Sequence, residues 1–208
     1  AQPGDERYEV VTYADERGVF LPHSPRAQAL ERPAWLRPPL RNLVWHQAAL
    51  PWLCHRRAWD LLFLPAANRR LPWRAPCPTV GTVHDLAGAR VAGKYDPARQ
   101  LYIRRVLPRL IRGLDHVLTV SEASRQDIVE LTGLAPERVT VTPLAADLTR
   151  FTPGDRGQAR ERVAKRLGAP GPFLLYLSRI EHPGKNHVAL IRAFDAMKAR
   201  TGLPHHLV

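Results

Sequence analysis

Cysteine is close to absent from this chain, which has Cys54 and Cys77 in 208 residues. Two cysteines so far apart exclude a disulfide framework and a zinc motif, leaving plain buried or half-buried thiols and favouring a reducing compartment. Long hydrophobic runs are also missing. No apolar stretch approaches the roughly 20 residues needed to cross a bilayer. The amino terminus lacks the charged-then-apolar plan of a signal peptide, so a cytoplasmic location is expected. Lysine is scarce, limited to Lys94, Lys165, Lys185 and Lys198. The 31 basic against 19 acidic residues give a formal charge of +12, most of it arginine dispersed along the chain. That excess favours an anionic partner such as a nucleotide, a nucleic acid or an acidic lipid headgroup. The dispersal weakens the nucleic-acid reading, which expects a basic stripe, and Arg37, Arg41, Arg56 and Arg57 read as a solvated face. Neither G-x-G-x-x-G nor G-x-x-x-x-G-K-[ST] occurs, which argues against a dehydrogenase or a P-loop kinase unless upstream sequence holds the motif. The chain starts without methionine, and its closing His205-His206-Leu207-Val208 reads as the opening of a strand. Truncation at both ends is expected.

What is present is a folding pattern. With 45% apolar residues the chain can build a real core, and short β-branched runs alternate with stretches of helical period, the signature of βα units and a parallel sheet. Strands are expected at Glu9 to Tyr13, Leu61 to Leu64, Thr79 to Val83, His116 to Val120, Val139 to Thr142 and Phe173 to Leu177. Their apolar middles suit strands buried on both faces. Asp96-Pro97 reads as an N-cap followed by proline at the first helical position, and Ile103, Val106, Leu107, Leu110, Ile111 and Leu114 form one stripe that Pro108 should kink or split. Ser121 is placed to cap a helix carrying Ile128, Val129 and Leu131 and ending near Gly133. Asn186 is placed to cap another, with Leu190, Ile191, Phe194 and Met197 on its buried side. A helix from Pro39 to Trp59 should break at Pro51. Between Phe151 and Pro172 the composition turns to Pro, Gly and charge, as in a linker with a helix. The expected division is 1–150, an amino-terminal Rossmann-like unit; 151–171, linker and helix; and 172–208, the start of a second domain.

The chemistry concentrates after the strand at Phe173. Ser178-Arg179-Ile180-Glu181-His182-Pro183-Gly184-Lys185-Asn186 runs from a strand end through a short loop to a helix start, which aims free backbone amides above the carboxyl edge of the sheet. An arginine fork and a lysine point charge beside those amides suit the several oxygens of a diphosphate. The bland alternative is a surface arginine and a solvated lysine.

Tyr176-Leu177-Ser178-Arg179 and Lys185-Asn186, followed by Leu190-Ile191-Arg192-Ala193-Phe194, resemble the family 4 glycosyltransferases, retaining enzymes of the GT-B fold. Thr82-Val83-His84-Asp85-Leu86, Leu118-Thr119-Val120-Ser121-Glu122, and Val141-Thr142-Pro143 with Asp147 and Phe151 are similar to further turns of that family, in the same order. Ala145 and Ala146 stand where the family more often has glycine. The resemblance implies an α/β chain of GT-B type, two Rossmann-like parallel-sheet domains, with the first strand and its glycine loop absent upstream of Ala1. By the same resemblance Arg179 and Lys185 grip a donor diphosphate with Asn186, His182 and Gly184 shape the loop, and His84 with Asp85 lies near the reacting sugar. Ser121 and Glu122 belong to the cleft or only to their turn. The alternatives from the residues alone are a His84 bonded to a backbone carbonyl, an Asp85 that orders its turn, and a Ser121 that caps its helix.

The implied activity is transfer of a sugar from a nucleotide-diphosphate sugar to a glycan or lipid-linked acceptor, with retention, no cofactor and no metal. No Asp-x-Asp or histidine cluster of ligand spacing contradicts that. Peripheral contact with the inner face of a membrane is compatible with lipid-linked acceptors, and no nucleic-acid partner is expected. The family's glutamate pair would lie beyond Val208, so the isolated chain is expected to transfer sugar poorly. A rival reading is a basic nucleotide- or nucleic-acid-binding α/β module without transferase activity, whose binding would fall steeply with salt.

Overall fold

The computed structural model describes residues 6–21, 26–68, 70–91, 95–168, 171–181 and 184–208. Its elements run β1 (Tyr8–Thr12), α1 (Arg17–Phe20), β2 (Ala27–Glu31), α2 (Pro39–Gln47), α3 (Ala49–Arg57), β3 (Leu62–Leu64), β4 (Thr79–Thr82) and α4 (Ala87–Arg90). There follow α5 (Pro97–Leu101), α6 (Leu107–Arg112), β5 (His116–Thr119), α7 (Glu122–Thr132), β6 (Val139–Val141), α8 (Arg156–Leu167), β7 (Phe173–Leu174), α9 (His187–Thr201) and β8 (His206–Leu207). Every described strand pair is parallel. The pairs make a β1-β2 sheet, a β3-β4-β5-β6 sheet and a β7-β8 sheet, so the expected α/β architecture is the one observed.

The core lies around the four-stranded sheet. Val83, Val117, Ile111 and Ile128 are completely buried, and Leu71, Leu107 and Leu114 nearly so. Each such side chain contributes about 1.5–3 kcal/mol. Gly81 in β4 is there because nothing larger fits: a Cβ at that position would stand 2.7 Å from both Ala67 Cβ and Leu114 Cδ1. That contact brings the loop after β3 and the end of α6 onto β4.

The stripe beginning at Ile103 is continuous in sequence but not in helix geometry. Asp96 caps α5 by accepting from the Arg99 N–H, and residues Tyr102–Val106 form a π-helical turn closed by the Leu107 N–H on Tyr102 O before α6 begins. Pro108 has no N–H to offer, so the helix widens just ahead of it instead of breaking outright.

Four local expectations are corrected. The Pro39–Trp59 segment breaks at Ala48 (φ −116, ψ −60), not at Pro51. A proline in the first turn of a helix loses no intrahelical bond, so the break falls three residues before it. β3 is not buried on both faces: Phe63 is half exposed, because β3 ends its sheet and pairs with β4 alone. β7 is shorter than expected, stopping at Leu174, because its ladder is only as long as β8. Pairing continues just to Tyr176, whose N–H reaches Val208 O at 2.7 Å. In α9, Leu190, Phe194 and Met197 are half-buried and Ile191 is exposed, so the expected buried side is only partly covered. Strand β2 was not expected, because Ala27-Gln28-Ala29-Leu30-Glu31 has no β-branched residue and consists of good helix formers. The strand opening at the end of the chain is present as β8.

Asp115 ties β4 to β5. Its carboxylate accepts from Thr79 N–H at 2.7 Å and Thr79 Oγ1 at 2.9 Å. Those two bonds, ahead of the Arg138 charge, hold its pKa below the ordinary carboxylate value. A depressed carboxylate stabilises the fold above its unfolded pKa and loses that stabilisation as pH falls through the folded one. Asp115→Ala should therefore lower stability by about 1–2 kcal/mol at neutral pH, and the difference from the parent should shrink below about pH 4. Urea melts across that range measure it, and a pH-independent difference would contradict the assignment.

Cys54 and Cys77, distant in sequence, meet in the core. Cys54 is buried and Cys77 partly so, and burial together with the neighbouring Cys77 thiol pushes the Cys54 pKa up to about 12. A thiol held protonated is a poor nucleophile. Cys54 should resist iodoacetamide in the folded chain at neutral pH and react once the chain is unfolded in guanidinium. Mass mapping of the alkylated cysteine reads the result, and rapid native modification of Cys54 would contradict it.

Candidate functional site

The residues that sequence marks out fall into two groups, each built by its own neighbours. The first is the turn after β4. Val83 continues the strand, with its N–H on Leu118 O at 2.8 Å and its carbonyl accepting from Thr119 Oγ1 at 2.8 Å, which delivers the exposed His84 and Asp85 at the carboxyl end of the sheet. His84 Nε2 donates to Pro65 O at 3.1 Å, so in the neutral ring Nδ1 keeps a free lone pair. Asp85 Oδ1 accepts from Ala87 N–H at 3.0 Å, an Asx turn that starts α4.

Ser121 and Glu122 join this turn through Ser124, a residue of the first turn of α7. Ser121 Oγ accepts from Ser124 N–H at 3.1 Å and caps α7, while Ser124 Oγ donates to His84 O at 3.0 Å. The Ser-x-x-Ser spacing was the available signal, since it puts a second hydroxyl at the third residue of the helix. Glu122 pairs with Arg125 at 2.9 Å in the first turn of α7, where negative charge is favoured by the helix dipole. Arg90 closes the far side by bridging Asp127, at 2.7 Å, and Glu130 of α7. No local pattern announces such a pairing between distant segments.

The second group is the loop between β7 and α9. Lys185 N–H donates to Glu181 O at 3.0 Å and Lys185 O accepts from Tyr176 O–H at 2.9 Å, so the loop is closed on itself and pinned to the strand. Tyr176 also meets the His187 ring edge-on, centroids 5.4 Å apart, and Ser178 Oγ lies 3.0 Å from His187 Nε2. Tyr176 and His187 are thus the braces of this loop, a role that single residues in a strand and a helix do not advertise. Arg179 is four-fifths exposed and pairs with Glu181 at 3.0 Å; Gly184, Lys185 and Asn186 are exposed. His182 and Pro183 lie outside the described residues.

Asn186 departs from its expected role. It sits in the left-handed region (φ 47, ψ 42) and its side chain makes no capping bond. The first intrahelical bond is Leu190 N–H to Asn186 O, and among the described residues the helix start has no side-chain cap. An uncapped helix start beside an arginine and a lysine can accept the oxygens of an anion. Asparagine tolerates this backbone better than most residues. Among the described residues no group of three or more His, Cys, Asp or Glu side chains is arranged to hold a metal ion, and no helix is long and apolar enough to cross a membrane.

The sequence model of Glycosyltransferase Family 4 matches residues 4–150, which includes the His84 and Ser121 turns. The chain belongs to Glycosyltransferase Family 4. This family 4 chain is 33% identical over 124 residues to a D-inositol 3-phosphate glycosyltransferase of Nocardia farcinica, covering 58% of the chain and 26% of that protein. It is 31% identical over 134 residues to the enzyme of the same name from Actinosynnema mirum, covering 63% and 31%. It is 29% identical over 140 residues to the serotype-specific mannosyltransferase WbdA of Escherichia coli, covering 65% and 16%. The chain thus spans about a third or less of the length of these curated relatives. Among solved structures, Anabaena Alr3699/HepE in complex with UDP aligns over 99% of this chain and 62% of its own, at 15% identity and a TM-score of 0.49.

Proposed function

We propose that this family 4 chain carries the amino-terminal unit and the first elements of the donor-binding unit of a GT-B enzyme. That enzyme moves a sugar from a nucleotide diphosphate onto a glycan or lipid-linked acceptor, with retention and without a metal. The division follows the composition: 1–150, then 151–171, then 172–208. The observation that carries the reading is the loop closed between Glu181 and Lys185, which sets Arg179 and Lys185 beside the uncapped start of α9.

In the transfer, the bond between the anomeric carbon and the diphosphate oxygen breaks, and its electron pair goes to that oxygen. Arg179, Lys185 and the α9 amides stabilise the resulting negative charge, the amides from positions fixed by the helix, so that their share requires little reorganisation as it develops. The acceptor hydroxyl bonds to the same face of the anomeric carbon and gives its proton to the departing phosphate. His84, held through Nε2 by Pro65 O, has the reacting sugar as its proposed neighbour, with Asp85 fixing the turn. The proposed setting is the cytoplasm, with peripheral contact at the inner face of the membrane. Calorimetry against UDP-, GDP- and ADP-sugars tests the donor reading; absence of heat with every donor would overturn it.

A further inference from the structure

All five tryptophans of the chain, Trp35, Trp45, Trp52, Trp59 and Trp73, fall in one stretch, and between Glu31 and Asp85 the sequence has a single acid, Asp60. That stretch forms the turn before α2, then α2, α3, β3 and the loop leading to β4. Within it Trp35, Leu40, Val44, Trp52 and Trp73 are each more than half exposed. Single exposed apolar residues are ordinary, but a connected set marks a contact surface.

The bonding of the backbone connects these five. Leu40 and Val44 stand one turn apart on α2, and Gln47, the next residue on that side, holds the loop after β3 through both ends of its amide. Its Nε2 donates to Leu71 O at 2.8 Å and its Oε1 accepts from Trp73 N–H at 2.9 Å, which fixes Trp73 beside the end of α2. The helical ladder also passes through the break at Ala48. Ala48 N–H reaches Val44 O at 3.0 Å and Trp52 N–H reaches Ala48 O at 3.2 Å, carrying the exposed row on to Trp52. At the other end Arg41 Nη1 donates to Trp35 O at 3.3 Å, so Trp35 adjoins the first turn of α2.

Each of the three exposed tryptophans has an arginine at hand. Arg41 bonds the Trp35 carbonyl, the Arg56 guanidinium lies over the Trp52 ring at 5.3 Å, and Arg74 follows Trp73 in sequence. All three arginines are exposed, and among the described residues no carboxylate pairs with them. Arg37 and Arg57, by contrast, are paired with Asp15 and Glu9.

An apolar surface edged by unpaired cations fits a bilayer with anionic headgroups. Tryptophan rings sit at headgroup level, and an arginine beside them covers apolar surface with its stem while its guanidinium reaches phosphate. A second copy meeting this surface face to face would bring arginine against arginine. A nucleic acid would meet the cations but leave Leu40 and Val44 in water. Helices α2 and α3 have nine residues each, too short to cross a bilayer, so the contact is confined to its interface.

We propose that Trp35, Leu40, Val44, Trp52 and Trp73, with Arg41, Arg56 and Arg74, dock this protein on an anionic lipid bilayer, the tryptophan rings seated among the headgroups. This gives the peripheral contact proposed above its surface and its lipid class. It rests on the transferase reading for the membrane's place in the reaction, though not for bilayer binding itself. The docking surface and the His84 turn share one loop, since Trp73 and Pro65, whose carbonyl accepts from His84, both lie on it.

The test is flotation of the 208-residue chain with vesicles of phosphatidylcholine and phosphatidylglycerol in equal parts, and of phosphatidylcholine alone, with UDP binding measured in parallel. Binding to the neutral vesicles should be weaker by at least about tenfold. On the anionic vesicles tryptophan emission should shift to the blue and be quenched by brominated lipid. Trp45 and Trp59 are partly buried against the core, so the change reports the exposed three. Leu40→Asp should weaken vesicle binding by at least about tenfold. It lies in the first turn of α2, where negative charge is favoured, so circular dichroism should be unchanged. Arg56→Gln should weaken binding by about fivefold, and Arg112→Gln, an exposed arginine elsewhere, should not. No binding to anionic vesicles, equal binding by Leu40→Asp and Arg56→Gln, or unshifted emission overturns the docking surface. Preference for a single-stranded oligonucleotide or for self-association over vesicles overturns it as well. UDP binding without vesicle binding removes the docking surface and leaves the transferase reading; vesicle binding lost in Leu40→Asp, with no UDP binding by any of the chains, does the reverse.

Discussion

Arg179→Ala and Lys185→Ala should each weaken nucleotide-sugar binding by about tenfold to a hundredfold, with circular dichroism and thermal midpoint expected to stay unchanged. The magnitude follows from hydrogen bonds to a charged group, about 1.5–3 kcal/mol each. The unchanged fold follows from exposure: Arg179 is four-fifths exposed and its ion pair with Glu181 is a surface pair of small worth. Lys185 contributes to the loop through backbone atoms, its N–H on Glu181 O and its carbonyl under Tyr176, which alanine retains. Each variant therefore removes charge and leaves the loop closed. Raising salt should weaken the parent more than either variant, because each has one cation fewer to be screened. Calorimetry with the donor that binds best gives both readings. Unchanged affinity in both variants would sink the assignment of this loop to the diphosphate.

Gly81→Val should destabilise the chain by about 3 kcal/mol, the upper end for overpacking, and should also loosen the His84 turn. The side chain would meet Ala67 Cβ and Leu114 Cδ1, each 2.7 Å from where a Cβ would stand. Neither neighbour can retreat. Ala67 is fully buried and bonded through its N–H to Thr82 O, and Leu114 lies at the end of α6 against the same sheet. Displacing Ala67 shifts the loop that begins at Pro65 and so lengthens the bond from His84 Nε2. Urea melts measure the first effect and the chemical shift of the His84 ring the second. A variant as stable as the parent would show that the loop is not fixed by this contact.

The sequence was informative wherever a local rule decides the outcome. Asp96-Pro97, Ser121 and Gly133 act through their own or adjacent backbone, and each sits where a cap rule puts it. Strands β4, β5 and β6 were legible because β-branched residues bounded by turns have few other uses, and β3 because Leu62-Phe63-Leu64 is a short apolar run. Pro51 shows the limit of reading a rule without its position: in a first turn, proline is compatible with helix. Asn186 shows another, since a residue type that caps helices through its side chain here takes a left-handed backbone instead. Long-range choices left no local trace. The contact of Cys54 with Cys77, the bridge from Arg90 to α7, and the gathering of Tyr13, Arg32, Asn42 and Arg70 each join segments distant in the chain. Arg37, Arg41, Arg56 and Arg57 are exposed, as a solvated face requires, but no local pattern shows that Arg37 also lies over the Tyr13 ring at 4.4 Å with Asp15 beside it.

The bond from Ser124 Oγ to His84 O has a bearing on motion. The His84 turn is tied at its carbonyl to the first turn of α7 and at its ring to Pro65. It cannot open alone: releasing it requires the α7 cap to fray or the loop after β3 to lift. In hydrogen exchange the amides of this turn should share the opening free energy of the start of α7 and not exchange independently.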